Sequence, residues 1–289
     1  MAPMRPALRR PRPVSTPRQG LVPIASLLGL LACSKPDATP PPGAGTGGGS
    51  GTGAAPVAPA TKVRVAAAAD LGPALVELGR TFTAATGIEV VADTGSTGLL
   101  AKQIEGGREV DLFAAADVSY VDKVVAAGAC DGASKKLYGR GQLVMWVASG
   151  GVAAPTGLAD LTDARFKKIA IANPDHAPYG RAARAALTKV GVYDQLTSRL
   201  VLGENVRATL QYAQTGNVEV AIVARSLALA TEGGVSVDVP ADTHPPLDQA
   251  LVVCGRGAGA AAGQKFADHI TSAEGRAVLA RFGFAPPGP

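Results

Sequence analysis

Two hydroxyl residues stand side by side among glycines in Thr94-Gly95-Ser96-Thr97-Gly98, just ahead of a stretch with helical apolar spacing. At the start of a helix such a loop offers side-chain O–H and backbone N–H donors to an anion, and glycine lets the main chain come close. Three other loops share this character. Ala67-Ala68-Ala69-Asp70 is a run of small residues ending in a carboxylate, which reads equally as the N-cap of the next helix and as a ligand contact. Asn173-Pro174-Asp175-His176-Ala177-Pro178-Tyr179-Gly180 precedes a further helix, and Glu204-Asn205-Val206 precedes another. Singly each is weak, because capped loops with Pro and Asn are common; together they describe a site built to hold an anion.

Other chemistries are poorly served. Ser96 has Thr94 where a nucleophile elbow needs glycine, and neither His-x-x-x-His nor Cys-x-x-Cys occurs. The three histidines, His176, His244 and His269, stand apart and read as loop or surface residues. The expectation is a binding protein without catalytic residues or cofactor. Gly43, Gly45 and Gly48 satisfy the G-x-G-x-x-G pattern, but with no strand before them and no helix after, the match is compositional.

The elements that must position the four loops alternate from Lys62 onward. Residues 62–66 read as a strand, and Leu71, Leu75, Leu78 and Phe82 then recur at helical spacing until Gly87. Strands at 88–92 and 111–114 alternate with helices at 99–105 and 118–127. A second set has strands at 142–147, 168–172 and 218–223, with helices after Arg181 and from 207 to 214. A last strand at 249–253 precedes helical residues from about 263 to Phe282-Gly283-Phe284. Strand-helix repetition implies mostly parallel sheets covered by helices on both faces, and the loops above fall beyond the carboxyl ends of strands, where such sheets bind ligands. The expected organisation is a first lobe from 62–141 and 247–289 and a second from 142–246, joined by two chain crossings that suit a hinge.

The first 60 or so residues differ in kind. Residues 1–32 carry Arg5, Arg9, Arg10, Arg12 and Arg18, no acid, and then an apolar run from Leu21 to Ala32, the features of a signal peptide. Leu30-Leu31-Ala32-Cys33 resembles a lipobox, which makes Cys33 the expected lipidated N-terminus of the mature chain, anchored to a membrane of the cell envelope; a plain secretory peptide is the alternative. Residues 33–61 then form a Pro/Gly-rich tether that cannot bury enough apolar surface to fold. Removing five of the 28 basic residues leaves 23 against 23 acidic ones, so the basic pI says nothing about nucleic acid. Cys130 and Cys254 are an even pair in a chain bound for an oxidising compartment, and read either as a disulfide or as two buried thiols.

The order of these motifs resembles the periplasmic molybdate-binding proteins of ABC transporters. The matching stretches are Ala67-Ala68-Ala69-Asp70-Leu71, Gly95-Ser96-Thr97 with Ala101-Lys102-Gln103-Ile104-Glu105, Asp111-Leu112-Phe113-Ala114-Ala115-Ala116-Asp117, 172–180, Glu204-Asn205-Val206-Arg207 and Arg281-Phe282-Gly283-Phe284. The resemblance spans Val63 to Phe284. It implies a two-lobed type II periplasmic-binding-protein fold with the ligand cleft between the lobes, a molybdate or tungstate cargo, a permease partner and a monomeric state. It also implies neutral donors at Asp70, Thr97, the amides of Tyr179 and Val206, and Ala224. Asp70 stands where the family places a serine and Ala224 where it places a tyrosine. A carboxylate aimed at a dianion ~4 Å away is repelled by more than ~1 kcal/mol at an effective dielectric of about 20. The expected resolution is that Asp70 caps its own helix while Ser226 or the Tyr179 hydroxyl replaces the missing phenol, with Ser96 beside Thr97. Rival readings are the same clamp with sulfate, phosphate or a phosphonate, a hydrolase-type enzyme, and a sensor that has lost transport.

Overall fold

The computed structural model describes residues 61–288, so the expected signal peptide, Cys33 and nearly all of the expected tether lie outside the described residues. In chain order the first elements are β1 (Lys62–Ala68), α1 (Gly72–Thr86), β2 (Glu89–Gly95), α2 (Thr97–Glu105), β3 (Leu112–Ala115), α3 (Val118–Ala126) and β4 (Asp131–Gly141). The chain then runs through β5 (Leu143–Ala148), β6 (Ile169–Ala172), α4 (Pro178–Lys189), the single turn α5 (Tyr193–Leu196), β7 (Leu200–Gly203), α6 (Val206–Gln214), β8 (Val220–Ala224), α7 (Arg225–Leu229) and β9 (Gly234–Asp238). It closes with β10 (Leu247–Val253), α8 (Ala258–Thr271) and α9 (Ala273–Arg281).

The strands form two five-stranded sheets, ordered β2-β1-β3-β10-β4 and β7-β6-β8-β5-β9. In each sheet the first three strands pair in parallel and the fourth, β10 or β5, pairs antiparallel with both neighbours. Four strands of each five therefore run the same way, and the reversed one is the strand reached directly from a crossing between the sheets. The crossings are Gly141-Gln142 and the segment 239–246.

Local sequence accounts for these elements. Leu71, Leu75, Leu78 and Phe82 put one apolar stripe of α1 into the first core, and Gly87, at φ 72°, ends the helix by donating its N–H to the Thr83 carbonyl at 2.8 Å. The central strand β8 is buried along its whole length, as a strand covered on both faces must be. Phe82 packs on Phe266 of α8 with ring centroids 4.8 Å apart, which joins the C-terminal helices to the first sheet. Cys130 and Cys254 form a disulfide between the turn after α3 and the end of β10.

Three strands, β4, β7 and β9, and the short helices α5 and α7 were not anticipated from the sequence. The helices on the site side also begin earlier than their apolar periodicity suggested, at Thr97, Pro178 and Val206.

Candidate functional site

The carboxyl ends of β1, β2, β6 and β7 lead into loops whose tips meet across the gap between the sheets. A small cavity there, about 10 Å³, is lined by Ala68, Ala69 and Asp70 at and after the end of β1, by Gly95, Ser96 and Thr97 entering α2, and by Tyr179 and Val206 entering α4 and α6. That is room for about one water, far below the ~300–1,000 Å³ of pockets for organic ligands. Asp70, Ser96, Thr97, Tyr179, Val206 and Ser226 are all buried, and all but Ser226 line the cavity. Ala224 is buried at the end of β8 and does not line it.

Three helices of 9, 12 and 9 residues point their N-termini at this space. First-turn amides have no intrahelical acceptor, and their dipoles favour negative charge. In α6 the Asn205 side chain caps the amides of Arg207 and Ala208 at 3.0 Å each, which leaves the Val206 amide for the cavity. In α4 Pro178 occupies the first position and has no N–H, so Tyr179 supplies the leading amide. Thr97 Oγ1 accepts the Ala116 amide at 3.2 Å, and its own proton has no acceptor among the described residues. Ser96 Oγ is engaged across the gap, 2.8 Å from both the carbonyl and Nδ1 of His176.

Asp70 does not cap a helix, contrary to the expected resolution. It lies inside a 3₁₀ turn, Ala69–Leu71, and α1 follows from an N-cap at Leu71 with no side-chain cap. Its Oδ2 instead accepts Tyr179 Oη at 2.9 Å and Gln249 Nε2 at 2.6 Å. Gln249 in turn receives the Tyr138 hydroxyl on Oε1 at 2.5 Å. Asp70 Oδ1 is buried with no hydrogen-bond partner. Burial pushes the Asp70 carboxyl up from 3.8 to about 6, against the opposing pull of the hydrogen bonds from Gln249 and Tyr179. Burial, reinforced by the nearby Asp70 charge, also drives the Tyr179 and Tyr138 phenols well above 10, so both remain protonated donors. The two hydroxyls expected to replace the missing phenol both serve Asp70: Tyr179 Oη binds its carboxylate, and Ser226 Oγ donates to its main-chain carbonyl at 2.8 Å.

The lobes are held shut around the cavity. Gly98 N–H donates to the His176 carbonyl at 2.9 Å. Arg181 of α4 reaches Asp117 and the Tyr120 hydroxyl, at 2.5 Å each, and lies over the Tyr120 ring. Sequence reasoning missed Tyr138, Gln249, Arg181, Asp117 and Tyr120 as members of this region, and read His176 as a plain loop residue. Only Gln249 carried a signal, a single amide heading the apolar run Ala250-Leu251-Val252-Val253. Among the described residues no cluster of three or more His, Cys, Asp or Glu could hold a metal ion.

Residues 63–285 match the family described as bacterial extracellular solute-binding protein. The chain is similar to the molybdate-binding protein ModA of Rhodobacter capsulatus, 34% identical over 227 residues that span 78% of this chain and 89% of that one. It is 31% identical over 225 residues, 76% of this chain and 85% of the other, to a putative ABC transporter substrate-binding lipoprotein of Bacillus subtilis. Among solved structures, the periplasmic molybdate-binding protein of Azotobacter vinelandii matches with a TM-score of 0.73 at 29% identity, covering 78% of this chain and all of that one. With the two similar sheets and the helix N-termini turned on the gap between them, these matches place the chain: it belongs to the bacterial extracellular solute-binding proteins.

Proposed function

We propose that the protein captures molybdate or tungstate between its lobes and delivers it to an ABC permease. The observation that carries this reading is the convergence of the Tyr179 and Val206 amides and the Thr97 hydroxyl on one small cavity between the lobes. Relatives named for molybdate supply the cargo. The ligand docks on one lobe, and closure brings the amides of the other onto it and excludes water. A hydrogen bond to a charged acceptor contributes roughly 1.5–3 kcal/mol, so the three donors and any further amides that closure brings in sustain binding after ordering and desolvation are subtracted. Molybdate and tungstate are larger than sulfate at the same charge and shape, so cavity size selects between them. The protein works as a monomer, without a cofactor and without catalysing a reaction. Lipidated Cys33 holds it on the envelope membrane, and residues 34–61 give the clamp reach.

Calorimetric titration of residues 62–289 with molybdate, tungstate, sulfate and phosphate tests the reading. Tight binding of the first two and much weaker binding of the others is expected. Tight binding of sulfate or phosphate beside weak molybdate would overturn the cargo assignment.

A further inference from the structure

Two carboxylates are deeply buried in the described residues, and they are solved differently. Asp111 lies against Arg64, whose main-chain amide and guanidinium both donate to it. Asp70 has no cation. The groups that face its carboxylate are neutral: Tyr179 from α4, Gln249 from β10 with Tyr138 of β4 behind it, and the main-chain amides of Asp70 and Leu71, while Ser226 from α7 holds the Asp70 main-chain carbonyl. Apart from Tyr179, none of the charged or titratable side chains of the packed elements bonds Asp70. Arg181 is on Asp117, Arg225 on Asp238 and His176 on Ser96, while the Arg207 guanidinium lies over Gly72. A buried carboxylate without a counter-charge tends to take a proton.

The two oxygens are not equivalent. Oδ2 already accepts two hydrogen bonds, whereas Oδ1 is buried, unpartnered and part of a residue that lines the cavity. We propose that Asp70 takes up one proton when the oxyanion binds and presents its Oδ1–H to an anion oxygen, so that capture of the ligand is coupled to one proton. The carboxylate and a solvent proton become a carboxylic acid, and no bond within the anion is made or broken. The repelling charge is thereby turned into a further neutral donor, which answers the presence of an acid where the resemblance expects a serine. The inference rests on the reading of the cavity as an oxyanion site. It deepens that reading by adding a pH dependence to it.

The test is titration of the purified protein with molybdate from pH 5.5 to 8.5, each pH in two buffers of different ionisation enthalpy. The expected result is affinity that levels off at the acid end and weakens about tenfold per pH unit above pH 7, with close to one proton taken up per anion at pH 8. Asp70→Asn keeps an oxygen for Tyr179 and Gln249 and places an amide N–H where the Oδ1 proton would be. It should bind within about threefold of the wild type's acid-limit affinity, with no pH slope and no proton uptake. Asp70→Ser should also lose the slope. Flat wild-type affinity across the range without proton uptake overturns the inference, and so does a slope that persists in Asp70→Ser. If sulfate binds and molybdate does not, the cargo assignment fails, and the proton count with sulfate decides the role of Asp70. If no anion binds at any pH, both fall.

Discussion

At Asp70 burial and hydrogen bonding act in opposite directions, and burial wins. The carboxyl is fully enclosed, and although Gln249, Tyr179 and the main-chain amides of Asp70 and Leu71 stabilise its charged form, burial raises it from 3.8 to about 6. A carboxyl raised on folding holds its proton more tightly in the folded state. Its stabilising effect is therefore complete below about 3.8 and is lost as the pH climbs through about 6. The difference corresponds to ~3 kcal/mol at neutral pH. Ligand-free Asp70→Asn should accordingly melt several degrees above the wild type at pH 8 and close to it at pH 4, as followed by circular dichroism. Melting curves that keep a constant offset across that range would remove the charge on Asp70 as the cause. The sequence made Asp70 conspicuous as an acid after three alanines, but not its environment. Its partners Tyr179 and Gln249 are 109 and 179 residues away, a distance over which no local pattern operates. For the same reason the site residues read from loops were found together while Tyr138 and Arg181 went unnoticed.

Among the elements, what was legible follows burial. The central strands β1, β3, β6, β8 and β10 have both faces covered and read as near-continuous apolar runs, so they stood out. The strands that escaped, β4, β7 and β9, all lie at sheet edges. There β4 carries Lys135, Lys136 and Arg140, and β7 and β9 leave Leu202 and Val235 half exposed. The helices were recognised one to four residues late because periodicity needs apolar residues, and the first turns of α2, α4 and α6 use Thr, Gly, Pro and a single Val beside Tyr179. Val206→Pro deletes an amide at a first helical position, where proline is compatible. It should weaken anion binding by about 10- to 100-fold, the loss of one charge-assisted hydrogen bond, with little change in the melting of the empty protein. A Cβ on Gly98 would come within 2.6 Å of the His176 carbonyl and 2.9 Å of Tyr120 Oη. Gly98→Ala should therefore hold the lobes apart, reducing affinity at least tenfold while a small-angle scattering profile with ligand stays at the larger, open radius. Wild-type affinity in Gly98→Ala would show that this contact is not needed for closure.

Over the whole molecule, the sequence conveyed the alternation of strands and helices and the return of the last strand to the first sheet. It left the pairing of Cys130 with Cys254 open, because pairing depends on how β10 is placed relative to α3. With 124 residues between its ends, this bond removes much loop-closure entropy from the unfolded chain. Reduction, or Cys130→Ala with Cys254→Ala, should lower stability by ~2–5 kcal/mol, measured by urea unfolding. An unchanged midpoint would mean that the reduced unfolded chain is already compact.

That same bond has a topological consequence. The covalent ring it closes contains β4, the whole second sheet with both crossings, and β10. The second lobe is thus a bight in a loop rather than a branch with a free end. A protease that cuts the exposed turn around Gly150 and Gly151 would open the ring without shedding a fragment. The nicked molecule should run as one species on a non-reducing gel and as two after thiol is added. For a protein working among extracytoplasmic proteases, a single scission there leaves both jaws of the clamp tied to one another.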